Sequence, residues 1–115
     1  MRAFSSTDAN LTAEYGIEIG RWEQYPGTAE FPFNVMWCVI PGARQSSPDQ
    51  HPEHELAVVV SGHARFQGDD TALDAPTGTA VLLQPGERHV IHNLRAEEPV
   101  RIMSVYWLAG EGDRR

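Results

Sequence analysis

Apolar and polar positions along this chain recur in short runs with the two-residue period of strands, and sustained helical periodicity is absent. Runs over 15–25, 31–40, 55–60, 63–67, 79–83, 89–94 and 99–108 are separated by the turn-forming stretches Pro26-Gly27, Ser61-Gly62, Gly68-Asp69-Asp70, Pro76-Thr77-Gly78 and Pro85-Gly86-Glu87. Seven or more short strands in 115 residues predict an all-β sandwich or barrel. A brief helical turn is expected only near 7–14, where Thr7 or Asp8 can cap it. The expected organisation is a flexible arm or added edge strand over 1–13, one domain over 14–109 and a flexible tail over 110–115. Gly62 is expected in a hairpin turn between 57–60 and 63–67, and Pro85-Gly86 in a tight turn ahead of His89.

Composition narrows the function. A chain of this length holds one modest core. The net charge of -7 argues against a nucleic-acid or anionic-membrane partner, both of which need clustered Lys and Arg. All nine basic residues are arginines, which removes Schiff-base and lysine general-base chemistry. The one cysteine, Cys38, lies in the apolar run Val35–Ile40 and reads as a buried inert thiol. No stretch has the length of a membrane helix, and Met1–Ser5 lacks the apolar core of a signal peptide, so a cytoplasmic location is expected.

The chemistry is concentrated in two segments. Asp49, His51, Glu53 and Glu55 share one parity, so in an extended segment their side chains share a side. One imidazole from a second strand, His89, then gives a shell of two imidazoles and two carboxylates from Asp49, His51, Glu55 and His89, suited to one divalent first-row ion (iron, zinc, manganese or nickel). Asp49 either completes that shell or, being short, orients His51. Without it, His51, Glu55 and His89 form the two-histidine, one-carboxylate arrangement used for oxygen chemistry. His54 and His92 have the opposite parity and point away, unless a bulge at Pro52 brings His54 in as the fourth ligand. Glu53 reads as a general base or as an ordinary solvated carboxylate, and each of these residues taken singly fits a plain surface role.

These segments resemble the two signature motifs of the cupin superfamily. Gly42, His51, Glu55 and Gly62 sit at or near the spacing of the first, with Asp49 in the place of its first histidine. Gly78, Gly86, His89 and Asn93 match the second, with Gln84 where proline is usual. The resemblance spans about 30–108 and implies a jelly-roll barrel with the metal inside its wide end. It also implies a substrate pocket walled by Phe33, Val35, Trp37, Phe66, Met103, Val105 and Trp107, with Arg44, Gln45 and Arg101 as polar contacts, and a hydrogen-bonding rather than ligating role for Asn93. The implied function is a metal-dependent enzyme of bacterial small-molecule metabolism, a non-haem oxygenase or a Lewis-acid isomerase or cyclase, with Glu53 and Glu55 as its catalytic carboxylates. A non-catalytic binding or sensor domain and a structural cupin with a degenerate site remain open. The stretch Trp37–Gly42 followed by His51–Glu55 is also similar to cupin domains found beside methionyl-tRNA-synthetase-like ligases in bacterial hydrazine biosynthesis, an activity that would need a separate aminoacyl-ligase partner. An exposed edge strand and the N-terminal arm suggest a homodimer.

Overall fold

The computed structural model describes residues 1–109, and the tail expected over 110–115 lies outside the described residues. Its strands are β1 (Thr12–Glu14), β2 (Ile17–Arg21), β3 (Asn34–Ile40), β4 (His54–Ser61), β5 (His63–Gln67), β6 (Ala72–Pro76), β7 (Ala80–Leu83), β8 (Val90–Asn93) and β9 (Val100–Trp107). They form two antiparallel sheets, a six-stranded one in the order β1-β2-β3-β9-β4-β7 and a three-stranded one in the order β6-β5-β8. Among the described residues the only helical element is a 3-10 turn at Trp22–Gln24. In place of the helical turn expected near 7–14 there is a tight turn, in which Asp8 N–H donates to Ser5 O at 3.3 Å, before β1 begins.

The core lies between the inner faces of the sheets. Ile17 and Ile19 of β2, Cys38 and Ile40 of β3, Ala57 and Val59 of β4, and Val100 and Ile102 of β9 meet Ala64, Phe66, Ala75 and Ile91 of the smaller sheet. Each large aliphatic side chain buried there stabilises the fold by roughly 1.5–3 kcal/mol. At Gly62 the β4–β5 hairpin turns with φ +90, and a Cβ there would lie 2.7 Å from Pro99 O, so only glycine fits. β6 escapes the hydrophobic pattern because Ala72-Leu73-Asp74-Ala75-Pro76 buries only Ala75 and is held at the sheet edge by its ladder to β5. At the N-terminal end Thr12–Glu14 is β1, at the sheet edge, while Phe4 stacks on Tyr25 with ring centroids 4.2 Å apart and Ser6 O accepts from Arg101 Nη1 at 3.1 Å.

Candidate metal centre

The residues ahead of β4 are extended because they pair with β8. Asn93 N–H donates to Arg44 O and Ser46 N–H to Ile91 O, each at 2.9 Å. Asp49 and His89 exchange both backbone bonds, at 3.0 and 2.9 Å, as directly opposite residues of an antiparallel pair do, which puts their side chains on one face. Gly86 N–H donates to His51 O at 2.8 Å, tying the turn of the second motif to the first. Asn93 locks the far end: its buried Nδ2 donates to Ile40 O, Pro41 O and Glu98 O at 3.1, 3.3 and 2.8 Å, and its Oδ1 accepts from Arg95 N–H at 3.1 Å. Gly42 is glycine because the Ala96 carbonyl occupies the place of a Cβ.

Asp49, His51 and His89 each bring one donor atom within 4.8 Å of the other two. The imidazoles are held alike. His51 Nδ1 faces Glu53 O at 3.1 Å and His89 Nδ1 faces Glu87 O at 3.0 Å. A carbonyl oxygen only accepts, so both Nδ1 atoms carry hydrogen and both Nε2 lone pairs are left for the site, the orientation metal-bound imidazoles have. His51 Nε2 lies 2.9 Å from Glu55 Oε1, and Ser104 Oγ donates to Glu55 Oε2 at 2.6 Å in the buried interior. Nδ1 being the donor, Nε2 and the carboxylate are two acceptors in contact, which requires a positive charge between them, either a second ring proton or a cation. The donor set of Asp49, His51 and His89 could therefore hold a divalent ion. Its order differs from the expectation: Asp49 belongs to the tight group with the histidines, and Glu55 joins through His51, one step deeper on β4.

The site opens into a cavity of about 300 Å3. Asp49, His51, Glu53, Glu55 and His89 line it together with Tyr15, Arg21, Ser46, Ser47 and Tyr106, and Ile17, Ile19, Met36, Cys38 and Ile91 supply its apolar part. This corrects the expected wall, because none of Phe33, Val35, Trp37, Phe66, Met103, Val105 and Trp107 lines the cavity. On β3 and β9 the inward residues are the even ones, as shown by Ser104 bonding Glu55; the odd residues face outward, Phe33 precedes β3 half exposed, and Phe66 packs in the core. Arg44, Gln45 and Arg101 do not line it either, whereas Arg21 does. Sequence reasoning passed over β2 and Ser104; a lone serine in the apolar run of β9 is the signal that could have fixed the parity.

The charges around the cavity are compensated unevenly. Arg21 donates to both oxygens of Glu14 at 2.7 and 2.9 Å, and that guanidinium, with the Thr12 hydroxyl, holds the Glu14 carboxyl down to about 2. Burial, and then the nearby Glu23 carboxylate, push the Tyr106 phenol up, with Arg21 opposing, so it remains a hydroxyl donor. Burial, and then Glu55, push the Cys38 thiol up, which leaves it inert as a nucleophile. Glu53 has Oε1 3.6 Å from His51 Nδ1 and no cationic partner other than that ring among the described residues. His54 stacks on Trp107 outside the sheet, with centroids 5.5 Å apart, and His92 Nε2 meets Gln67 Oε1 at 2.9 Å on the outside of the smaller sheet. Neither reaches the centre.

No helix among the described residues is long and apolar enough to cross a membrane. The chain is similar over 95% of its length, and over 90% of the other's, to a cupin 2 conserved barrel domain protein from Salinispora arenicola, at 28% identity and a TM-score of 0.81. A protein of Photorhabdus luminescens shares the fold at 20% identity and a TM-score of 0.80, covering 98% of this chain and 89% of that one. A predicted oxalate decarboxylase from Thermotoga maritima shares it at 15% identity and a TM-score of 0.73, covering 94% of this chain and 100% of that one. No functionally curated protein matches the sequence. The cupin domain model matches residues 35–106, most of both sheets and every residue of the centre, and the chain accordingly belongs to the cupin domain family.

Proposed function

We propose that this chain is a metal-dependent enzyme acting on a small neutral or cationic organic molecule, with one divalent first-row ion held by Nε2 of His51 and His89 and by the carboxylates of Asp49 and Glu55. The observation that carries the reading is the convergence of Asp49, His51 and His89 in a cavity that Ile17, Ile19, Met36 and Ile91 also line. When bound, the ion supplies a Lewis acid or, as iron, a centre for oxygen chemistry. The chain does the rest. Glu53 and Glu87 carbonyls fix both imidazoles, and Ser104 fixes Glu55. Ile17, Ile19, Met36 and Ile91 shed water from a space of about 300 Å3, roughly ten water volumes. Glu53 stands at the cavity as proton acceptor and the Tyr106 hydroxyl as proton donor.

The substrate class follows from the charges. Asp49 and Glu55 offset a divalent ion, Glu14 offsets Arg21, and Glu53 is left as surplus negative charge. A dicarboxylate such as oxalate, the substrate in the name of the Thermotoga relative, would meet no uncompensated cation, so an uncharged or amine-bearing molecule suits the cavity better.

Elemental analysis of the purified protein beside Asp49→Ala and His89→Ala tests the metal. Near-stoichiometric iron, zinc, manganese or nickel in the wild type, lost in His89→Ala, is expected. Iron would direct the search to oxygen-uptake assays and the other ions to rearrangements and cyclisations. No metal after reconstitution would overturn the reading, and a metal-loaded protein that holds neutral or amine probes without converting them would reduce it to a binding domain.

A further inference from the structure

We infer that Tyr15, at the tip of the β1–β2 hairpin, is a specificity-determining residue whose ring receives the cationic group of an amine-bearing substrate at the lip of the cavity. This role rests on the reading proposed above, in which Glu53 is left as surplus negative charge, and it narrows the substrate to a cation.

The backbone singles Tyr15 out. Glu14 pairs with Ile17, so Tyr15-Gly16 is a two-residue hairpin loop, and both of its residues have positive φ, 56 and 75. Two-residue loops with both φ positive favour Asn, Asp or Gly at the first place, because those side chains are absent or bond locally. A bulky aromatic side chain is an outlier there. Asparagine would make the same turn with less strain, so the needs of the turn do not account for a tyrosine. Backbone strain of this kind clusters at ligand sites.

A second contact aims the tip. Ser47 N–H donates to Tyr15 O at 2.7 Å, and a Cβ on Gly16 would lie 3.1 Å from Ser47 Oγ. Ser47 is two residues from Asp49, so the hairpin tip is fastened to the extended segment that carries the metal group. From there Tyr15 lines the cavity beside Ile17, Ile19 and Arg21 of β2. Its side chain is 51% exposed and its ring pairs with no other ring among the described residues, whereas Tyr25 is stacked on Phe4 and meets Trp22 edge-on. An aromatic face is thus left free where the cavity meets solvent.

Charge decides what that face takes. The quadrupole of an aromatic ring attracts a cation lying over its face. Arg21, the guanidinium lining the cavity, is already held by both oxygens of Glu14, so its repulsion of a second cation is offset. Glu53 has no cationic partner among the described residues other than the His51 ring. Ring face and surplus carboxylate therefore favour the same sign of ligand, and an ammonium group satisfies both.

The test is calorimetric titration of the metal-reconstituted full chain with choline and with neohexanol, the uncharged alcohol in which carbon replaces the choline nitrogen. The two share a shape, and the quaternary nitrogen has neither a proton to donate nor a lone pair for a metal, so any preference reports charge. The wild type and Tyr15→Phe are expected to bind choline roughly fivefold or more tighter than neohexanol. Tyr15→Asn should lose that preference while its urea midpoint stays at or above the wild-type value, since asparagine suits the turn. Equal binding of the two probes by the wild type, or binding of neither, overturns the inference and leaves the metal centre standing. So does a Tyr15→Asn variant that keeps the preference but unfolds at lower urea, which would make the ring a structural part of the hairpin. A chain that takes up no metal yet prefers choline through Tyr15 would sink the metal reading alone.

Discussion

Two pairs of histidines lie three residues apart on the same two segments and face opposite ways. His51 and His89 turn inward, each with Nδ1 held by a backbone carbonyl and Nε2 offered to the cavity, and their rings are 5.2 Å apart. His54 and His92 turn outward, one onto an indole and the other onto a side-chain amide. Side-chain chemistry is identical in the four. What differs is parity on an extended backbone, and through it the second partner of each ring: carbonyls that fix a tautomer inside, an aromatic face or a surface amide outside. A histidine thus becomes a candidate ligand through what holds its other nitrogen.

Breaking the inward pair should have the largest effect. His51→Ala or His89→Ala is expected to lower metal affinity by two orders of magnitude or more, read by competition with a chelator. His51→Ala should also destabilise the metal-free protein by roughly 1–3 kcal/mol in urea unfolding, because the buried Glu55 Oε1 loses its partner. A metal content unchanged in both variants would mean that the inward geometry has no bearing on metal.

Ser104→Ala comes next and sharpens the comparison, since it touches no ligand of the tight group. Glu55 Oε2 loses its hydroxyl donor, so metal affinity should fall roughly 10–100-fold while the bound ion and its stoichiometry stay the same. Equal affinity in Ser104→Ala would show that Glu55 does not take part in binding.

Parity was legible in the sequence where polar residues marked it and illegible where they did not. Asp49, His51, Glu53 and Glu55 alternate with residues of other kinds, so their shared face could be read directly, and all four line the cavity. β3 and β9 carry large apolar residues on both faces, so the apolar pattern of Val35, Trp37, Met103, Val105 and Trp107 did not by itself say which set faced in, and Ser104 was the one buried polar mark of the inward set. The even set faces in, leaving that odd set on the outer face. Strand boundaries followed the turns closely at β5, where buried Ala64 and Phe66 alternate with polar residues, and at β9, and failed at β6, whose Asp74 and Pro76 look like loop residues and whose extension comes from the ladder to β5. The pairing of 44–49 with β8 was beyond reach, because long-range partners leave no local trace.

Among the outward residues, His54→Ala should leave metal content untouched and cost the stack on Trp107, about 0.5–1.5 kcal/mol in the same unfolding measurement. Loss of metal in this variant would put a bulge at Pro52 that turns His54 inward.

The smallest effect is expected from His92→Ala. Its one hydrogen bond, to Gln67 Oε1, is exposed, and exposed substitutions of this kind shift stability within about 0.5 kcal/mol. The value of the variant lies in register. Slipping β8 by a single residue would exchange its faces, carrying Ile91 out of the core and His92 into it. Because Asp49 pairs with His89 through the same extended stretch, such a slip would also take His89 away from Asp49. His92→Ala with full metal content and unchanged stability therefore supports the pairing that aligns the centre, while a loss of metal as deep as that of His89→Ala would move the second imidazole of the site from position 89 to position 92.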